Sequence, residues 1–81
     1  MKNREIREAL LNACTNKVKL CTKEYCAYGC LDQSFSEDFK IRLNQVNIIR
    51  KDGDEEVIEH RDHLVLKDDS IIDFEPYTNL N

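Results

Sequence analysis

A cysteine attacks a carbonyl carbon only as a thiolate, so it needs a base to take its proton and a third group to orient that base. Cys30, His63 and Asp73 supply a thiol, an imidazole and a carboxylate in that order along the chain. Together they make a candidate catalytic set for an amide or thioester bond. A metal is the other chemistry these residue types suggest. Cys21, Cys26 and Cys30 are separated by four and three residues, and His60 and His63 form an H-x-x-H pair. Structural zinc sites favour tighter Cys-x-x-Cys knuckles, and none is present. The expectation is therefore no metal and no cofactor. A redox link between Cys26 and Cys30, four residues apart, is conceivable if both lie on one helical face.

Positioning such a set falls to a few elements. Ile6, Ala9, Leu10, Ala13 and Cys14 recur at helical spacing, which predicts a helix over residues 3–14 with Asn3 as its cap and Cys14 on the buried stripe. Leu31, Phe35, Phe39 and Leu43 step by four, which predicts a second helix over roughly 31–45. Two starts compete for it. Gly29-Cys30 would open it directly and set the thiol at the N-terminus, where the dipole favours a thiolate. Ser34 with Glu37 is a capping-box pattern that would open it at residue 34. The core expected from both helices contains Leu10, Phe35, Phe39 and Leu43.

Three strands are expected next. They cover 46–51, then 55–66 with a bulge near Arg61-Asp62, then 70–75, with turns at 52–54 and 67–69. Pro76 stops the last strand, and residues 76–81 read as a loose tail of a single domain over 1–81. The expected fold class is α+β: two helices followed by a three-stranded antiparallel meander.

Register decides whether the imidazole meets the carboxylate. A two-residue turn at Asp68-Asp69 would set His63 opposite Phe74 and send Asp73 to the other face. A three-residue loop, Lys67-Asp68-Asp69, pairs Leu66 with Ser70 and puts His63 directly opposite Asp73. The second register keeps Leu64, Ile72 and Phe74 on one face, and it is the one expected.

On these residues the chain resembles the papain-like cysteine hydrolases and transferases. Gly29-Cys30-Leu31-Asp32-Gln33-Ser34 is similar to their cysteine end, and His63-Leu64-Val65-Leu66 with Ile71-Ile72-Asp73 to their histidine and acid strands. The resemblance implies Cys30 as nucleophile, His63 as base, Asp73 as orienting acid, and a papain-like minimal core. Leu31 stands where the papain proteases carry tryptophan, and no glutamine precedes Cys30.

Composition sets the bounds. The 81 residues allow one small core, and 35% charged against 41% hydrophobic residues suits a folded soluble domain. The basic residues are interspersed with acids and have no aromatic interleaving, so nucleic acid is not an expected partner. No stretch has the length or apolarity of a membrane span. With no signal-peptide pattern, a cytoplasmic protein with reduced thiols is expected. Residues 1–51 carry ten Lys/Arg against six Asp/Glu, and residues 52–81 carry two against ten. That acidic half could face a basic protein. The expected function is a minimal papain-like cysteine enzyme on a protein or peptide, as a protease, amidase, deamidase or acyl transferase. The alternative is a small acidic adaptor or inhibitor that binds another protein without chemistry. Homo-oligomers are compatible with both.

Overall fold

The apolar stripe at Ile6 and Leu10 does form a helix, α1, over Asn3–Asn12 in the computed structural model, which describes residues 2–77. Both side chains are buried. The helix ends earlier than its periodicity suggests. Cys14 takes a left-handed conformation (φ 55), with its N–H bonded to the Leu11 carbonyl and the Thr15 N–H bonded to the Leu10 carbonyl. This is a Schellman closure with cysteine where glycine is usual. It lifts Cys14 off the stripe, and the thiol is exposed rather than buried.

Five strands follow: β1 (Lys17–Cys21), β2 (Cys26–Leu31), β3 (Lys40–Asp52), β4 (Glu55–Lys67) and β5 (Asp73–Pro76). They form one antiparallel sheet in the order β4-β3-β2-β1-β5. The described residues thus hold one helix and a five-stranded sheet, not two helices and a three-stranded meander. The expected second helix is absent. Its span is divided between the end of β2, a turn region at 32–39, and the start of β3. The stride of four from Leu31 to Leu43 is coincidental. The stronger signal is alternation, with Ile41, Leu43, Val46 and Ile48 all buried on β3. Leu31 and Leu43 are core residues, but Phe35 is only half-buried and Phe39 is 74% exposed. The capping-box residue Ser34 instead folds back, donating from its N–H and its hydroxyl to Asp32 Oδ1. That is an Asx turn.

The break in alternation between Leu43 and Val46 is a bulge. Tyr28 pairs with Asn47 and Cys30 with Asn44, so β3 holds one residue more than β2, and Gln45 has φ 53. Gly29 lies against this bulge. A Cβ there would sit 3.1 Å from the Asn44 carbonyl oxygen and 3.2 Å from Val46 Cγ2. Gly29 serves close approach of two strands, not backbone freedom ahead of a helix.

The core lies between α1 and one face of the sheet. Ile6 and Leu10 cover Val18, Leu20, Ala27, Leu31, Ile41, Leu43, Val46 and Ile48, with Leu66 and Ile71 closing it. After β4 the chain makes a short 3-10 turn at Asp68–Ser70 and crosses to the far edge, where β5 pairs with β1. Ser70 therefore belongs to a turn and Leu66 pairs with Ile41, so the expected Leu66–Ser70 hairpin does not form. Asp68 makes the crossing rigid. Its buried carboxylate accepts the Asn3 N–H at 3.1 Å, and its own N–H donates to the Phe39 carbonyl at 2.8 Å. The helix is capped by a carboxylate 65 residues away in sequence rather than by a local residue.

Candidate functional site

The face of the sheet opposite α1 carries the polar alternates of every strand. Residues directly paired across antiparallel strands share a face, so the pairings define rows. One row runs Lys17, Cys30, Asn44, His63. The next runs Lys19, Tyr28, Asn47, His60. His60 and His63 lie on one face despite their three-residue spacing. The reason is that β4 shifts phase near Asp62, opposite the β3 bulge at Gln45. Its pairing with β3 keeps one register throughout, so the bulge expected near Arg61-Asp62 is not in β4, and the register shift lies between β2 and β3.

The rows are held by specific contacts. His60 Nδ1 and Asn47 Oδ1 are 3.0 Å apart. Lys19 Nζ sits 5.7 Å from the Tyr28 ring centroid, a cation–π distance. Tyr28 meets Tyr77 edge-on with centroids 6.0 Å apart. At the end of the face, Asp32 takes Ser34 and faces Arg42 Nε at 3.5 Å. The Ser34 hydroxyl bond, aided by Asn44 and Arg42, lowers the Asp32 carboxyl below its ordinary value.

The three predicted catalytic residues are distributed over this sheet. Cys30 is the next-to-last residue of β2 and His63 is on β4 in the same row, with Asn44 between them. Two strand spacings put their backbones about 10 Å apart. Asp73 opens β5 and pairs with Cys21, at the opposite edge of the sheet from β4. The structure therefore places thiol and imidazole on one face and does not bring the carboxylate to the imidazole. The helix N-terminus that one of the two competing starts offered Cys30 is replaced by a place near the end of a strand.

Cys21 and Cys26 are directly opposite in β1 and β2 and form a disulfide across the four-residue loop Thr22–Tyr25. The expectation of reduced thiols did not include this pair. Its signal was present: two cysteines bracketing a polar loop between apolar alternations, as in a hairpin. The disulfide withdraws both sulfurs from the Cys21-Cys26-Cys30 metal set, and no group of three or more potential metal ligands occurs among the described residues. No helix among them is long and apolar enough to cross a membrane.

Two phenols on this framework are shifted upward from 10.0. Tyr77 is raised by burial, then by Cys30 and Tyr28, and Tyr25 is raised by burial and Glu24 against an opposing Arg61. The unfolded chain ionises these groups at lower pH than the folded one, so stability should fall as pH rises from about 10 through the folded values. An absorbance titration should show Tyr25 and Tyr77 ionising later than free tyrosine. Ordinary titration of both would remove them from the packed framework.

The sequence reading missed Phe39. It has φ 65, a left-handed conformation that is costly for a bulky aromatic residue, and its ring is the second most exposed large apolar group described. It borders an open groove with Lys2, Asn3, Arg4, Ser36 and Asp69 at the helix N-terminus. Comparison of the chain with models of known families finds no match, and neither does comparison with curated proteins.

Proposed function

We propose that the chain is a small protein-binding module without catalysis, with Phe39 as its anchor. The observation that carries this reading is a solvent-displayed phenyl ring on a strained backbone. A left-handed aromatic residue costs on the order of 1–3 kcal/mol, and the ring's exposure returns little of that to the fold. The strain is held from two sides, by the Phe39 carbonyl accepting from Asp68 and by Asp68 capping α1. Aromatic anchors of this kind dominate binding energy when they enter an apolar pocket on a partner. Glu37, Asp38 and Asp69 line the groove beside the ring together with Lys2 and Arg4, and its acids outnumber its bases, which favours a partner pocket with a basic rim.

The wide separation of Asp73 from His63, and Asn44 standing between His63 and Cys30, favour binding over a cysteine enzyme. Phe39→Ala should keep the fold, with a melting temperature near that of the wild type, and lose a protein recovered with the wild-type bait. Loss of roughly tenfold or more in affinity is expected for a central anchor. Equal recovery by both baits would refute the reading. Cys30→Ser should leave recovery unchanged.

A further inference from the structure

We infer that β4 is a self-pairing edge, and that two copies of this chain join antiparallel through it into a continuous ten-stranded sheet. The two sheet edges differ. β5 is four residues long and ends in Pro76, both ordinary protections against edge pairing. β4 is thirteen residues long, contains no proline, and has no strand on its outer side among the described residues.

The direction of its main-chain groups follows from the hairpin. Gly53-Asp54 is a two-residue turn, with Gly53 at φ 66, so Asp52 and Glu55 form a hydrogen-bonded pair. Alternation then commits 57, 59 and 61 to β3 and turns the N–H and C=O of Glu56, Ile58 and His60 outward. Beyond Asp62 the phase shifts by one, since Leu64 and Leu66 return to the core side. Past that point His63, Val65 and Lys67 point outward.

One antiparallel register matches these outward groups on both copies. It sets Glu56 against Lys67 of the second copy, Ile58 against Val65, His60 against His63, and Arg61 against Asp62. Each opposition occurs twice about the two-fold axis. The charged oppositions are of unlike sign, and the apolar one covers side chains that are 66% and 47% exposed. Shifting by two residues in one direction puts Glu59 against Asp62 and His60 against Arg61. Shifting in the other buries Ile58 against Lys67. A regular strand could not offer the matched register, because residues whose numbers sum to an odd value would point in opposite directions. The phase shift at Asp62 makes it possible.

The inference does not rest on Phe39, which lies outside β4. Sedimentation analysis of the intact chain should give a reversible dimer of twice 9.5 kDa. Lys67→Glu should weaken it roughly tenfold by setting like charges opposite each other twice, and Glu56→Lys in the same chain should restore it. Ile58→Lys should leave a folded monomer by circular dichroism. Phe39→Ala should leave the dimer intact. A wild-type chain that stays monomeric at the highest concentration reached overturns the inference, as does a dimer that tolerates Ile58→Lys or gains nothing from the charge exchange.

Discussion

Leu43→Ala should destabilise the protein by about 2–5 kcal/mol, the cost of emptying a fully buried leucine site that cannot collapse. Leu43 is 0% exposed on β3, and it pairs with Leu31 on one side and Leu64 on the other. Relaxation into the space is limited. The Leu43 Cβ already lies close to where a side chain at Gly29 would start, and the bulge at Gln45 fixes the backbone next to it. A small domain has on the order of 5–15 kcal/mol in total, so the variant should sit near the threshold of folding. Urea denaturation measures the loss directly. A cost below about 1 kcal/mol would mean that the sheet is packed differently at its centre.

Asp68→Ala should cost about 1–3 kcal/mol, because it leaves the first N–H of α1 without its charged acceptor in a buried setting. The Asn3 N–H, Asn3 side chain and Arg7 form a connected set. Asn3 Nδ2 donates to the Lys40 carbonyl at 2.7 Å, Arg7 Nε donates to Asn3 Oδ1, and Arg7 Nη2 donates to the Phe35 carbonyl at 2.8 Å. Losing the carboxylate therefore loosens the helix and the turn region at 32–39 together. Asp68→Asn, which keeps an acceptor oxygen, should lose less than half as much. Equal losses from both variants would show that charge, not hydrogen bonding, holds the joint. Since Asp68 also fixes the Phe39 carbonyl, partner binding should weaken in step with stability.

Local signals were legible where one element alone determined them. The stripe at Ile6 and Leu10 made α1, and Gly53 turned the hairpin between β3 and β4. The broken alternation near Arg61-Asp62 was visible, but the extra residue behind it sits in β3 at Gln45, against β2. The middle of the chain misled because apolar residues at 31, 35, 39 and 43 fit a period of four, while the strand they belong to was hidden by the extra residue at Gln45. A bulge erases period two at the length over which a helix is recognised.

The expected pairing of His63 with Asp73 does not form, for a topological reason. Chain order put His63 and Asp73 ten residues apart, and a hairpin is the default for such spacing. The tie between Asp68, Asn3 and Phe39 instead carries the chain across to β1. That tie joins three segments distant in sequence, and no local pattern announces it. The same holds for Phe39, whose carbonyl accepts the Asp68 N–H. The Cys21–Cys26 disulfide was legible in principle, but the expectation of a reducing compartment counted against any disulfide.

The central claim is that Phe39 is displayed for a partner. Site-specific photo-crosslinking addresses it most directly, with a photoreactive phenylalanine at position 39 and, as a control, at Leu11, which is 77% exposed on α1. The account predicts a discrete adduct with one protein from position 39 and none of that adduct from position 11. Adducts of equal yield from both positions, or none from position 39, would contradict it.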